Sequence, residues 1–327
     1  MCIMCTSITY TSKDHYFGRN LDLEYAYRET VTITPRNYPF SFRHQPVVES
    51  HYALIGMAFV VEDYPLYYDA VNEKGLGMAG LNFPQNADYK DMTEGKDNIT
   101  PFEFIPWILG QCANVEEAEM LIDKICLIQE DFRKDLPLTP LHWSISDKER
   151  SIVVEQVKDG LHVYENPTGV MTNNPTFDIQ LFMLNNYRNL TNEPGENRFS
   201  ADVDLLRYSR GMGTIGLPGD LSSASRFARV AFTRLHSVSG ESEEESVSQF
   251  FHILASVEQQ RGCVKLEDGS YVITVYSSCC NLDKGIYYYN TYDNHQITAV
   301  DMHREDLDAG KLVSYPLRTK ENFCYEN

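Results

Sequence analysis

Alternation of apolar and polar positions dominates the first quarter of the chain and predicts β-structure over residues 5–83. Thr30–Thr34 alternates residue by residue, residues 52–61 form a long apolar run, and residues 66–83 have the pattern of a hairpin that turns at 73–75. The same pattern predicts strands later in the chain, at Leu141–Ser146, Ser151–Val157, residues 161–164 and, as short pieces rich in Tyr and Val, residues 271–315.

Helical spacing appears in two blocks between these strands. The first block predicts helices over residues 101–111 and 114–126, where Asn114 is the expected N-cap and Glu117 follows it three residues later. The second block predicts helices over residues 222–238 and 243–260.

The resulting order of elements is strands, helices, strands, helices and strands. Helices that come in blocks, without strict alternation with strands, favour antiparallel sheets covered by helices. A four-layer αββα sandwich, of the α+β class, fits this order. Residues 191–200 are polar and predict an exposed loop, and the pattern indicates a single domain over residues 5–327 behind a short segment, residues 1–4.

Composition narrows the classes of function. The 327 residues include 47 acidic and 28 basic side chains, a net charge of −19, and no Lys/Arg-rich run, which argues against nucleic acid or an anionic membrane as partner. The sequence shows neither an apolar stretch of about 18 residues nor a signal-peptide pattern, so we expect a cytoplasmic protein. The eight cysteines are then expected to be reduced thiols.

Two of these cysteines, Cys2 and Cys5, lie at the start of the chain. A cysteine exposed by processing carries a thiol and a free α-amine whose pKa is near 8, so the amine can serve as base for its own thiol. On position alone, an ordinary terminal residue is the simpler interpretation. The Cys2-x-x-Cys5 spacing also fits a redox pair or half of a zinc site, but the sequence has no second such pair, and Cys279-Cys280 is poorly spaced. We therefore expect no metal and no cofactor.

Short sequence blocks in a fixed order carry a resemblance to a known family. The blocks are CTSITY (5–10), YFGRNLD (16–22), NEKGLG (72–77), AGLNFP (79–84), LHW (141–143), TNNP (172–175), GLPGD (216–220) and SRF (225–227). Together they resemble the choloylglycine hydrolase family, which contains bile salt hydrolases and penicillin V acylases. The resemblance covers nearly the whole chain and implies the αββα fold of N-terminal nucleophile hydrolases and hydrolysis of a non-peptide amide.

The resemblance also implies roles for the residues that start the chain. Cys5 matches the nucleophile, and Arg19 and Asp22 match the charged pair beside it. Arg19 is expected to lower the pKa of the thiol by its positive charge, and Asp22 to accept a hydrogen bond from the α-amine.

Three further matches complete the implied site. Asn173 matches an oxyanion donor through its side-chain NH₂, the backbone N–H of Asn82 is the second donor, and Arg226 matches the remaining charged residue. Taken one at a time, these residues also fit turns or a solvated helix face, and only the ordered set favours a catalytic interpretation.

The choice between the two cysteines follows from the family pattern and from strand geometry. The family's Met-Cys-Thr start matches Met4-Cys5-Thr6. If residues 5–10 form a strand, Cys2 lies about 10 Å further along it, and the odd shift of three places its side chain on the opposite face. Cys5 would be freed either by translation from Met4 or by removal of a short propeptide, residues 1–4.

The implied substrate is a bile salt conjugated to glycine or taurine, and the implied assembly is a homotetramer. Bile salt enzymes usually carry Asn at the position of Asn82, where several penicillin V acylases carry Tyr. Asn82 therefore favours bile salts, and penicillin V is the alternative substrate. A non-catalytic bile-salt-binding protein, with the nucleophile blocked, is a second alternative. The resemblance places the residues that line the steroid pocket in loops: Leu21, Tyr25, Tyr27, Phe132, Leu136 and Thr139, together with Asn82.

Overall fold

The computed structural model describes residues 4–327, and in that part of the chain strands outnumber helices. The strands are β1 (Met4–Thr11), β2 (His15–Leu23), β3 (Thr30–Thr34), β4 (Leu54–Val61), β5 (Tyr64–Asn72), β6 (Gly77–Asn82), β7 (Asp97–Ile99), β8 (Ile125–Leu127), β9 (Leu141–Ser146), β10 (Ser151–Val157), β11 (Gly160–Glu165), β12 (Val170–Met171), β13 (Ile273–Asn281), β14 (Ile286–Thr291), β15 (Asn294–Asp301) and β16 (Val313–Pro316). The α-helices are α1 (Phe104–Gln111), α2 (Val115–Ile122), α3 (Phe177–Met183), α4 (Ser223–His236) and α5 (Glu243–Ala255).

Two antiparallel sheets form the centre of the molecule. Sheet A has the strand order β12-β1-β2-β13-β14-β15, and sheet B has the order β11-β10-β9-β6-β5-β4-β3-β16. A separate parallel pair joins β7 to β8. The N-terminal strand β1 is therefore an interior strand of sheet A, paired on both sides.

Helices cover the outer face of each sheet. Helices α4 and α5 pack on β1, β12 and β13 of sheet A, and α1 packs on β4, β5 and β6 of sheet B. One buried apolar cluster joins the inner faces of the sheets to α4 and α5, and a second joins sheet B to α1 and α2. This arrangement is the expected αββα sandwich.

The pairing of β1 with β2 brings together three residues of the candidate site. Cys5 lies opposite Leu21, Met4 opposite Asp22, and Ser7 opposite Arg19. Since residues one strand apart in an antiparallel pair are close neighbours, this hairpin alone places Arg19 and Asp22 near Cys5. Strand β6, which ends at Asn82, packs against β1 from the other sheet.

The predicted strands agree closely with the structure. Thr30–Thr34, Leu141–Ser146 and Ser151–Val157 have the expected bounds, and β5 and β6 form the expected hairpin around residues 73–75. The polar segment 191–200 is a largely exposed loop, as expected.

Helix ends are where the sequence prediction was wrong. The helix expected over residues 114–126 ends at Ile122, and Ile125 belongs to β8. Ile122 and Ile125 have helical spacing, but the backbone turns between them, where Lys124 N–H donates to Leu121 O at 3.0 Å. Asn114 is the N-cap, since its side chain accepts from Glu117 N–H, as predicted.

The helix predicted over residues 222–238 agrees within two residues with α4 (Ser223–His236), two other predicted helices are each wrong at one end, and some elements were not predicted. The helix predicted to start at residue 101 begins at Phe104, and the one predicted to end at residue 260 ends at Ala255. In the second, the N–H groups of Ser256 and Val257 already make tight-turn hydrogen bonds to Ile253 O and Leu254 O, and Gln259 N–H donates to Thr274 Oγ1 of sheet A. Helix α3 and the short strands β7 and β12 were not predicted.

Within residues 4–327, no helix has the length and apolar character needed to cross a bilayer.

Gly18→Ala is expected to destabilise the fold. A Cβ atom at Gly18 would lie 2.0 Å from the carbonyl oxygen of Ser278 on the neighbouring strand, so β2 or β13 would have to shift. Overpacking of this kind typically costs about 1–3 kcal/mol. Urea unfolding of the purified variant measures the loss.

Gly219→Ala is the matched control for that variant. A Cβ atom there has no heavy atom within 4 Å, and the backbone is outside the left-handed region. We expect its midpoint to stay near that of the parent protein. A Gly18 variant as stable as the Gly219 variant would contradict the close contact between β2 and β13.

Candidate active site

Cys5 lies on β1 with only 1% of its surface exposed, and its thiol faces Arg19. The Nη2 group of Arg19 donates to Cys5 Sγ at 2.6 Å. The backbone N–H of Cys5, which joins it to Met4, donates to Asn173 Oδ1 at 2.9 Å. The sulfur atom and the main-chain nitrogen of Cys5 therefore each have a dedicated partner.

Arg19 is fully buried between the two sheets. Its Nη1 group donates to the carbonyl oxygens of Tyr68 at 3.0 Å and Gly80 at 2.6 Å, both on sheet B. Burial by itself lowers the pKa of Arg19, but the surrounding acidic groups, Cys5 first among them, raise it above its usual value. The guanidinium group is therefore a permanent positive charge held against the sulfur.

The thiol of Cys5 is subject to opposing effects. Burial raises the pKa of the Cys5 thiol and is the largest effect; the charge of Arg19 lowers it, and the nearby carboxylate of Asp22 raises it. Backbone N–H groups of Asp22 and Asn82 donate toward the sulfur and lower the pKa. Arg19 thus acts in the expected direction, but the net pKa is raised, so the buried thiol needs a nearby base to ionise.

Asp22 supplies a buried acceptor beside the start of β1. Its Oδ1 accepts a hydrogen bond from Thr274 Oγ1 at 2.6 Å. Its Oδ2 is buried and accepts from no residue in the range 4–327. Burial raises the pKa of Asp22 to about 7, although Arg226, Thr274 and Arg19 each lower it. A buried carboxylate oxygen without a donor is well suited to receive a cationic amine.

Arg226 reaches the site from α4 and is also fully buried. Its Nη1 group donates to Cys5 O at 2.6 Å and to Thr6 Oγ1 at 2.6 Å, and its Nη2 group donates to Asn173 Oδ1 at 2.7 Å. Arg226 therefore holds the backbone of Cys5 and the side chain of Asn173 in one arrangement.

The side-chain amide of Asn173 has a defined orientation. Its Oδ1 faces two donors, Cys5 N and Arg226 Nη2, so the opposite atom must be the nitrogen. That nitrogen donates one hydrogen to Asn82 O at 2.7 Å. The second hydrogen of the NH₂ group is not used by any hydrogen bond among residues 4–327, which leaves it available for a further acceptor.

The residues expected to line a substrate pocket lie in several places. Leu21 is buried opposite Cys5, and Tyr25 and Tyr27 follow on the loop after β2, with ring centroids 4.7 Å apart. Tyr25 is 52% exposed, so it is open to a ligand.

The other expected pocket residues lie on the loop that connects β8 to β9. Phe132 packs against Tyr64 with ring centroids 5.9 Å apart, and the carbonyl oxygen of Thr139 accepts from Tyr89. Leu136 forms backbone hydrogen bonds with Arg133 on the same loop. This loop leads into β9, whose Leu141 pairs with Asn82.

Comparison with known proteins identifies the family. The model of the family described as "Linear amide C-N hydrolases, choloylglycine hydrolase family" matches residues 5–315. The chain belongs to the choloylglycine hydrolase family. It is accordingly a hydrolase that acts on linear amide C–N bonds.

Relatives within the choloylglycine hydrolase family are close in sequence. A protein of Lactiplantibacillus plantarum named bile salt hydrolase/transferase is 59% identical over 99% of this chain and 100% of the relative. A protein of the same name from Clostridium perfringens is 41% identical over 95% of this chain and 96% of the relative.

Solved structures of the family agree with the fold. A mutant of the conjugated bile acid hydrolase from Clostridium perfringens superposes with a TM-score of 0.92 at 38% identity, over 99% of this chain and 100% of that one. A penicillin V acylase from Agrobacterium tumefaciens has a TM-score of 0.75 at 21% identity, over 95% of this chain and 90% of that one, which shows a shared fold.

Several polar residues hydrogen-bond to the candidate site residues but were not predicted from the sequence. Thr6 Oγ1 accepts from Arg226, and Ser223 Oγ accepts from the backbone N–H of Asn173. Thr274 Oγ1 donates to the carboxylate of Asp22. Thr6 and Ser223 lie within or beside the family blocks and could have been suspected on that ground. Thr274 lies in a strand of Val and Tyr residues, where a single threonine gives no local signal.

Other sequence candidates lie apart from this site or outside the described residues. Cys2 lies outside them. Cys279 and Cys280 are buried free thiols in β13. Among residues 4–327, no group of three or more His, Cys, Asp or Glu side chains is arranged to hold a metal ion.

Asp22→Asn is expected to flatten the pH dependence of stability in a chain that still carries Met4. Because burial raises the pKa of Asp22 from 3.8 to about 7, the folded state keeps a proton that the unfolded chain releases between those values. The free energy of unfolding falls with rising pH wherever the folded state binds more protons than the unfolded state. Deprotonation of Asp22 should therefore lower the free energy of unfolding by up to roughly 4 kcal/mol as the pH rises through this window. Asparagine does not titrate.

The measurement is urea unfolding at about pH 4 and about pH 7 in a Cys5→Ala background, in which intact mass confirms that the N-terminus is uncleaved. The background protein should lose more stability between the two pH values than the Cys5→Ala, Asp22→Asn protein. Equal losses in both would contradict the raised pKa of Asp22.

Proposed function

We propose that this protein hydrolyses the amide bond of glycine- or taurine-conjugated bile salts, with Cys5 as an N-terminal nucleophile. The observation that supports it most is the 2.6 Å contact between Arg19 Nη2 and Cys5 Sγ, inside a family whose model match begins at Cys5. The substrate class rests on the names of relatives, which include conjugated bile acid hydrolase and bile salt hydrolase/transferase.

The mature catalytic domain in this proposal is residues 5–327, and residues 1–4 are an extension that is absent from the working enzyme. While Met4 is attached, the nitrogen of Cys5 is an amide that cannot accept a proton. Removal of Met4 turns it into an amine with a pKa near 8. Asp22 is paired with Met4 across the two strands, and its Oδ2 atom has no donor among residues 4–327. This oxygen would then accept a hydrogen bond from the new amine.

Cys5 is the proposed nucleophile rather than Cys2 because of its register. In β1, Cys5 lies next to Leu21 on the adjacent strand, and its sulfur accepts from Arg19, whose guanidinium group is held by a sheet-B carbonyl oxygen. A residue three positions earlier in the same strand would point to the opposite face.

The proposed reaction follows from these positions. The α-amine takes the thiol proton, and the thiolate of Cys5 attacks the carbonyl carbon that joins the steroid acid to the amino acid. The oxyanion of the tetrahedral intermediate accepts from the backbone N–H of Asn82 and the free hydrogen of Asn173 Nδ2. The α-ammonium then protonates the leaving nitrogen, and the C–N bond breaks.

A thioester between Cys5 and the steroid acid remains. Water, deprotonated by the α-amine, attacks this thioester, and the free acid leaves as the thiol is restored. An amine in place of water would regenerate an amide, which is consistent with the word transferase in the names of four relatives. Each oxyanion donor typically contributes about 3 kcal/mol to lowering the barrier.

Burial of the steroid is the proposed source of affinity. The apolar and aromatic side chains proposed to contact it are those of Tyr25 and Tyr27 on the loop after β2 and of Phe132 and Leu136 on the loop before β9, together with the buried Leu21 next to Cys5. A rigid apolar ligand gains about 25 cal/mol for each Å² removed from water, so shape and apolar area matter more than hydrogen bonds there. Thr139, on the same loop as Phe132 and Leu136, would add a polar edge.

Penicillin V is the alternative substrate. A penicillin V acylase of Pectobacterium atrosepticum is 29% identical over 50% of this chain and 39% of that relative. Asn82, rather than Tyr, ends strand β6, and by the family pattern this favours bile salts. A cytoplasmic location and a homotetrameric assembly stay predictions.

Cys5→Ala is expected to abolish turnover of glycocholate, by roughly 10³-fold or more, because the nucleophile is lost. Cys2→Ala should leave kcat unchanged, since residue 2 is absent from the proposed mature chain. Release of glycine, followed over time, measures both rates. Retained activity in the Cys5 variant would overturn the assignment, and intact mass of the parent protein should show a chain that begins at Cys5.

The substrate class is tested with glycocholate, taurocholate and penicillin V under one set of conditions. We expect kcat/KM to be higher for both bile salts than for penicillin V, because Asn82 and the apolar loops suit a steroid acid. Cys263→Ala, which changes an exposed thiol away from β1, is the control for handling losses. A higher kcat/KM for penicillin V would reverse the order of the two candidates.

A further inference from the structure

We propose that His142 and Glu155 are positioning residues that hold the two candidate oxyanion donors, Asn82 and Asn173, at their working separation. This inference rests on the proposed function, since it concerns the same site. His142 belongs to the LHW block, to which the sequence assigned no role. Neither His142 nor Glu155 touches Cys5, so they act through the residues beside the donors.

His142 is fully buried on β9 and uses both ring nitrogens. Nε2 lies 2.9 Å from Thr172 O, and Nδ1 lies 2.9 Å from Glu155 Oε1. A carbonyl oxygen only accepts, so Nε2 must carry a hydrogen. The tautomer and the orientation of the ring are therefore determined by Thr172.

Glu155 is fully buried on β10, next to β9 in sheet B. Both of its carboxylate oxygens accept from Phe177 N–H, at 3.2 Å each. Since His142 Nε2 already carries a hydrogen, one further proton must lie between Nδ1 and Oε1, on either atom. The pair is thereby satisfied in a dry interior, where an unpaired partner would be costly.

Each candidate oxyanion donor is one residue from a contact with this imidazole. Phe83 follows Asn82 directly, and its ring stacks on that of His142 with centroids 4.2 Å apart and planes inclined by 6°. Thr172, whose carbonyl accepts from His142, directly precedes Asn173. Two segments about 90 residues apart in the chain, each carrying one candidate donor, thus contact the same imidazole. One segment packs on the face of the ring, and the other accepts a hydrogen bond from its Nε2 atom.

Helix α3 adds a second support to Asn173 through the same pair. Glu155 accepts from Phe177, the first residue of α3, and Gln180 of that helix donates to the carbonyl oxygen of Asn173. Gln180 Oε1 also accepts from Thr172 Oγ1 at 2.8 Å. Loss of the His142–Glu155 pair would therefore free both the strand end and the helix start that flank Asn173.

The consequence should appear in the chemical step. Asn82 and Asn173 donate to an oxygen that becomes negative only as the thiolate attacks, so their misplacement raises the barrier without weakening steroid binding. A shift of about 1 Å in such a donor can cost about 10²-fold in rate. A loss in kcat at nearly constant KM is the signature of this role.

The test uses His142→Leu, His142→Gln and Glu155→Gln, with kcat and KM for glycocholate. We expect His142→Leu to lower kcat about 10²-fold and to change KM by less than about threefold. His142→Gln keeps a donor for Thr172 O but loses the stacked ring, and should fall between that variant and the parent. Glu155→Gln should keep most of kcat, because an amide can accept from Phe177 N–H and donate to a neutral imidazole.

His51→Gln is the matched control. His51 is also buried, and its ring nitrogens lie 2.6 Å and 2.8 Å from the carbonyl oxygens of Tyr52 and Tyr38, away from the candidate donors. It should lower the melting temperature while kcat stays within about threefold of the parent. A purely structural role for His142 would give the same outcome as this control.

The outcomes separate the two proposals. An inactive parent protein with a confirmed Cys5 N-terminus would overturn the proposed function. An active parent whose folded His142→Leu variant keeps kcat would overturn the positioning role alone. If His142→Leu does not fold, His142→Gln decides the matter: unchanged kcat overturns the proposal, and reduced kcat at constant KM supports it.

Discussion

The contact between the guanidinium group of Arg19 and the sulfur of Cys5 depends on both sheets at once. Cys5 and Arg19 belong to sheet A, whereas the carbonyl oxygens that hold Arg19 belong to sheet B. A buried charge is tolerated only when its donors are satisfied. Closure of the sandwich is therefore a condition for the site, and the site in turn contributes to specifying how the sheets meet.

Burial creates both the opportunity and the difficulty of this chemistry. It strengthens the attraction between Arg19 and the sulfur, but it also raises the pKa of the Cys5 thiol. A thiol in this environment needs a base that is delivered with it. In the proposed mechanism an α-amine on the same residue would meet that need, and the unused oxygen of Asp22 is where such an amine would be held.

The supporting residues form a layer around Asn82 and Asn173, the proposed oxyanion donors. Arg226 ties Asn173 to the backbone of Cys5, and the His142–Glu155 pair reaches the neighbours of Asn82 and Asn173. Every contact here is buried and directional, which is how a protein keeps donors ready before charge develops. Other members of the choloylglycine hydrolase family share the fold in which this layer is built.

Much of the sandwich was predictable because alternation and turn residues are local properties, and three strands have the bounds expected from them. The helix predicted over residues 114–126 has the predicted N-cap but ends four residues early, because Ile125 continues the helical spacing while its backbone pairs with β7. The family blocks also identified the candidate site residues, which are those at positions 5, 19, 22, 82, 173 and 226. Only tertiary structure decided that Cys5 and Asn173, 168 residues apart, share a hydrogen bond, and that His142 lies between the segments that carry Asn82 and Asn173. Sequence determines which face a side chain takes, whereas long-range packing determines what it meets there.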